Sequence, residues 1–311
     1  MKARMLLALC CAWGMLVATG APALAVEPVV VVKTDRSEIG PTASTTFLAW
    51  VEFHHLFDPN VRAQAIGSAT SFRVNPRGTG AFTGEIDGST LLYEQFVLGE
   101  YESDLVMVDL STRTELDVPD GVNTNASEFS PSLSGSRFLF GRSIRHGASI
   151  VLFDTTTSAS EVVYSKTETD RRQFFILPTQ INGNYAVWQQ ATISKRTDEL
   201  IRSDIFLYDI AAATTTRIPN ADIERPVQYG PSVDSDGVMY FGRSSIACGE
   251  NAQLISRELD GTETVLYELP TNRDFGSSHA VDNANNTTDV YFDRGDCRRL
   301  EFGNIWKLSG V

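Results

Sequence analysis

Beyond residue 25 the chain has no apolar run approaching the roughly 20 residues that a membrane-spanning helix needs, so no span is expected there. Basic residues are in deficit: 26 Lys and Arg stand against 39 Asp and Glu, a formal charge of −13. A field of that sign repels phosphate backbones and anionic lipid surfaces, which removes nucleic acid from the expected partners. Cysteine is scarce, with four in the chain, and two of these, Cys10 and Cys11, fall within the first 25 residues. HExxH pairs, Walker loops, nucleophile elbows and paired carboxylates are all missing from the sequence, so no catalytic residue is assigned.

What is present begins with a leader. Lys2 and Arg4 precede the apolar run Met5–Val17, and Ala23-Leu24-Ala25 offers a small-x-small cleavage pattern, so residues 1–25 read as a secretory signal peptide. A lipoprotein signal would have to use Cys10 or Cys11 after a very short apolar run. The expected mature chain, 26–311, loses Lys2 and Arg4 with the leader, which takes its formal charge to −15. It is expected outside the cytoplasm, secreted or periplasmic, as one soluble domain and a monomer. In an oxidising compartment the remaining pair, Cys248 and Cys297, is expected to form a disulfide.

The mature chain repeats. The stretch Gly230–Leu269 holds short runs rich in β-branched and aromatic residues, separated by Asp-Gly turns, the pattern of an antiparallel four-stranded meander. Weaker copies place one aromatic in a column: Trp50, Tyr93, Phe140, Trp188, Phe241 and Phe292, spaced by 43, 47, 48, 53 and 51 residues. Third strands are expected at Ser71–Asn75, Asp104–Asp109, Ser149–Asp154, Asp204–Asp209, Gln253–Glu258 and Asn304–Ser309, with an acceptor side chain capping the turn after each. First strands carry Glu85, Ser132, Gln180, Ser232 and Ala280 in a column expected to line a central channel. Four strands per period of 43 to 53 residues indicate a six-bladed β-propeller, an all-β ring whose closure removes sheet edges. The last copy lacks an outermost strand, and Val29–Thr34 is expected to supply it by pairing with Asn304–Ser309.

The units SPSLSGSRFLFGRS followed by SIVLFDT, within Ser130–Thr155, and GPSVDSDGVMYFGRS followed by QLISREL resemble the WD40-like (PD40) repeats of TolB-type six-bladed propellers. Leu133 and Val233 stand where that family carries Trp or Phe, and no counterpart of the family's separate N-terminal domain is expected. The resemblance implies the fold and leaves the ligand open.

Chemistry could sit in few places. His54, His55 and Asp58 are candidate ligands for a transition metal, although adjacent strand residues point to opposite faces. Arg142, Arg243 and Arg294 share one column position and could bind an anionic ligand, or pair with carboxylates of neighbouring repeats. Glu85 and Gln180 are the channel residues expected to contact a ligand. No cofactor is expected; calcium is the cation that the turns Asp234–Gly237 and Asp282–Asn286 could bind. The expected function is a secreted, non-catalytic binding module for a protein, peptide or carbohydrate at the rim or channel mouth; the alternative is an extracellular hydrolase or lyase with a metal at that mouth.

Overall fold

The computed structural model describes residues 27–53, 58–99, 102–220, 226–245, 252–270, 273–296 and 301–311. Every regular element among them is a β-strand. Strand β1 (Val29–Val32) comes first, and the chain then lays down antiparallel meanders. These are β2 (Ser37–Ala43), β3 (Phe47–Phe53), β4 (Pro59–Ala65) and β5 (Phe72–Arg73); then β6 (Thr79–Asp87), β7 (Thr90–Val97), β8 (Ser103–Asp109) and β9 (Thr114–Leu116); then β10 (Glu128–Ser134), β11 (Arg137–Ile144), β12 (Gly147–Asp154) and β13 (Ala159–Thr167). Strands β14 (Arg172–Asn182), β15 (Tyr185–Ser194), β16 (Leu200–Asp209), β17 (Thr214–Arg217), β18 (Pro226–Val233), β19 (Met239–Ser245), β20 (Gln253–Arg257) and β21 (Glu263–Glu268) form one eight-stranded sheet. Its halves, β14–β17 and β18–β21, are joined by a single parallel bridge between Ser203 and Val227. Finally β22 (Arg273–Asp282), β23 (Thr288–Asp296) and β24 (Glu301–Leu308) form a four-stranded sheet with β1 in the order β1-β24-β23-β22. In that sheet β1 runs antiparallel to β24, with Val29 opposite Lys307 and Val30 opposite Trp306.

The core lies between meanders. Trp50, Trp188, Tyr93, Phe140, Phe241 and Phe292 are the largest fully buried side chains, one in each second strand. Ala49, Val61 and Ala63 pack against Ala81, Ile86, Leu91 and Tyr93 of the following meander. The same interleaving joins the last meander to the first: Val281, Tyr291 and Ile305, with Val32 of β1, pack on Ala43, Leu48 and Trp50. Burying such aromatics contributes most of the favourable term at each interface, roughly 2–3 kcal/mol per side chain.

Two expectations are corrected. The third strand of the first meander is Pro59–Ala65 and not Ser71–Asn75, whose Phe72 and Arg73 form the short fourth strand β5. Asp109 and Asp154 cap turns as expected, accepting from Ser111 N and Thr156 N at 2.8 Å each, whereas Asn75 accepts from Val61 N at 3.0 Å and ties its own third strand.

Candidate functional site at the channel mouth

Every first strand carries a β-bulge at the same place relative to its partner: at Gly40-Pro41, Gly84, Ser130-Pro131, Pro178, Gly230-Pro231 and Gly276-Ser277. A bulge re-aims the strand and leaves backbone groups unpaired by the ladder. Three of these bulges hold a residue with positive φ before proline: Gly40 (60°), Ser130 (46°) and Gly230 (57°). Their amides find partners on the preceding meander. Gly40 N donates to Asp293 Oδ2 at 2.7 Å, Ser130 N to Glu94 Oε2 at 3.1 Å and Gly230 N to Gln189 Oε1 at 2.9 Å. Each acceptor lies one residue past the buried aromatic of its second strand. The remaining members of that position are Val51, Gly141 and Gly242, so acceptor and small or apolar residues alternate around the axis.

The bulges frame a cavity of about 910 Å³. Phe82, Phe129, Phe174, Phe175 and Phe275 form much of its wall, with Pro41, Pro131 and Pro231 between them. Its floor is a hydrogen-bonded plug to which every meander contributes an atom. Glu85 accepts from Ser132 Oγ at 3.0 Å and from Gln180 Nε2 at 3.3 Å, while Gln180 Oε1 accepts from Val233 N at 2.9 Å. The imidazole of His279 places Nε2 2.8 Å from Ala43 O and Nδ1 3.1 Å from Gln180 Nε2. A carbonyl can only accept, so Nε2 carries the proton and Nδ1 accepts from Gln180. Burial holds the His279 pKa down at about 4, against the raising effect of the Ala43 bond, and the ring is neutral at physiological pH. Burial also raises the Glu85 pKa well above the usual carboxylate range, outweighing the bonds from Ser132 and Gln180.

Two wall carboxylates titrate closer to neutrality. Desolvation lifts Glu94 to about 7, over the opposing bond from Ser130 N. It lifts Asp293 to about 6 even though Gly40 N, Ser277 N and Ser277 Oγ all donate to it. Beyond the plug, at the opposite rim, hairpin turns bond one another: Asp87 accepts from Gly135 N at 2.7 Å and Asp282 from Asn182 Nδ2 at 3.0 Å. The axis is therefore open as a cavity on the side where second strands pass to third strands.

Glu85 and Gln180 both line this cavity. The channel column expected to include Ala280 takes His279 instead: His279 pairs with Tyr291, one residue before the buried Phe292, the register that Glu85 and Gln180 keep with Leu92 and Val187. The arginine column is not part of the cavity lining. Arg142 Nε pairs with Glu128 at 2.8 Å, Arg243 makes a two-pronged pair with Glu263 at 2.7 and 2.9 Å, and the Arg294 guanidinium lies 3.4 Å over the Trp306 ring. His54, His55, Cys248 and Cys297 lie outside the described residues, while Asp58 accepts from Asn60 Nδ2. Among the described residues no group of three or more His, Cys, Asp or Glu is placed to hold a metal ion. Glu94 and Asp293 escaped the sequence reading; the position after the aromatic column was the signal that could have found the two carboxylates.

No protein-family model matches the chain and no curated protein matches it. Solved structures do. TolB from Acinetobacter baumannii superposes with a TM-score of 0.52 at 14% identity over 85% of this chain, which spans 63% of the length of that one. A putative TolB from Agrobacterium tumefaciens gives 0.54 at 13% identity, covering 78% of this chain and 84% of that one. A protein of unknown function from Dyadobacter fermentans gives 0.58 at 9% identity, covering 92% and 98%. At such identities the likeness concerns the fold, and with the antiparallel meanders and bulged inner strands it identifies a TolB-like β-propeller.

Proposed function

We propose that the chain is an exported, non-catalytic binding module. In this reading it is a six-bladed propeller: the eight-stranded sheet is two blades touching through one bridge, and β1 closes the ring as the outer strand of the last blade. The cavity at the channel mouth holds the ligand, a segment of a protein or peptide or a carbohydrate. One observation carries the proposal: a concave space of about 910 Å³ with largely apolar walls on one side of a plugged axis. That volume sits at the upper end of the range for pockets that engulf a ligand, and a few convergent polar groups in an apolar wall are what fix a ligand's orientation. The plug favours binding at a dead-ended mouth over passage along the axis.

A photo-cross-linking amino acid placed at Phe175 or Phe82, which line the mouth, is expected to form adducts in exporting cells. The same group at Thr156, in the turn capped by Asp154 on the far rim, is expected to give none. Adducts from Thr156 alone would put the ligand site on the wrong face.

A further inference from the structure

The charged groups that line the mouth are of one sign. Among the described residues Glu85, Glu94, Glu168 and Asp293 contribute carboxyl groups, His279 is the one basic lining residue and is neutral, and neither Lys nor Arg is present in the lining. Glu168 is matched by Lys195 at 2.8 Å, and Glu85 is engaged in the plug by Ser132 Oγ and Gln180 Nε2. Glu94 and Asp293 differ from these: among the described residues the hydrogen bonds given above come to them from backbone amides and a hydroxyl, and neither has a cationic partner. Asp293 is only 1% exposed, which makes its charge costly unless a cation enters the cavity beside it. Aromatic faces stand next to these carboxylates, with Phe82, Phe129 and Phe275 in the same wall. Ring faces and carboxylates lining one concavity attract cations that carry an apolar body.

We propose that the mouth accepts an organic ammonium ion attached to an aromatic or aliphatic body, the charge lying toward Asp293 and Glu94 and the body against the phenylalanines. This rests on the reading that the mouth is the ligand site and assigns the chemical class that site prefers.

Calorimetric titration of the whole mature chain with tryptamine and with indole-3-propionate compares one body carrying opposite charges. At pH 8, above the values of about 7 and about 6 at which Glu94 and Asp293 titrate, both wall carboxylates are ionised. Tryptamine is expected to bind at least about tenfold more tightly than the propionate. Glu94→Gln keeps an acceptor for the Ser130 amide and is expected to shrink that ratio several-fold, whereas Phe175→Ala is expected to weaken both probes. Equal affinities, or tighter binding of the propionate, overturn the charge assignment and leave the mouth standing as a site. Binding of neither probe overturns the proposal, and the cross-linking pattern at Phe175 and Thr156 then decides the mouth separately.

Discussion

Gln180→Leu is expected to lower the unfolding free energy by about 4 kcal/mol, a drop in melting temperature on the order of 10 °C. The size follows from what the amide touches. Gln180 donates to Glu85 and to His279 Nδ1 and accepts from Val233 N, so one side chain on β14 ties together meanders that are far apart in sequence. Leucine has similar bulk and would fill the space, but it leaves a buried backbone N–H, an imidazole nitrogen and a carboxyl oxygen with fewer partners. Each such orphan costs roughly 1–3 kcal/mol where water cannot reach it. Denaturant unfolding measures the loss. A loss below about 1 kcal/mol, the scale of a surface substitution, would mean that the plug is not a connected network.

The second large effect is expected at a bulge. Gly230 has φ of +57°, and a Cβ there would lie 2.3 Å from Gly276 O and 2.4 Å from Ser277 Cα, both backbone atoms of the next first strand. Gly135 has nearly the same φ, +56°, with nothing within 4 Å of the added carbon. Gly135→Ala should therefore cost only the left-handed strain, about 1–2 kcal/mol. Gly230→Ala adds displacement of a neighbouring backbone and is expected to cost about 4 kcal/mol or more. Thermal melts of the pair separate the two contributions. Equal losses would show that β18 and β22 do not approach at their bulges as described.

Much of this architecture was legible before any coordinates, and the reason is local. Trp50, Tyr93, Phe140, Trp188, Phe241 and Phe292 mark the second strands because a half-buried pleat demands a large apolar residue at one register position. The first meander misled because Pro59-Asn60-Val61-Arg62 carries poor strand formers, although Val61 and Ala63 are fully buried there. Phe72 in the short β5 drew the strand assignment away from them. His279 was displaced by one position because the β22–β23 ladder continues past Ala280 to Asp282 opposite Thr288, so Ala280 and not Val281 holds the place of Ile86 and Val233. The mouth carboxylates were invisible for a different reason. The bond from Gly40 N to Asp293 spans 253 residues, and it exists because a bulge turns an amide toward a neighbouring strand. Bulge geometry leaves a Gly-Pro or Ser-Pro trace in sequence, but its partner is set only when the meanders come together. The arginine column shows the converse: a clear pattern in sequence whose members are engaged by Glu128, Glu263 and the Trp306 ring.

The plug and the one-sided mouth both require the proposed ring to close, and the contact proposed to close it is the pairing of β1 with β24. Amide hydrogen exchange of the mature chain, followed over residues 304–308, tests that contact most directly. If β24 lies between β23 and β1, with Val29 opposite Lys307 and Val30 opposite Trp306, its amides should exchange as slowly as those of β12, which is paired on both sides. Exchange of residues 304–308 at the rate of an unpaired edge strand would contradict the closed ring, and with it the account of the mouth as a bounded site.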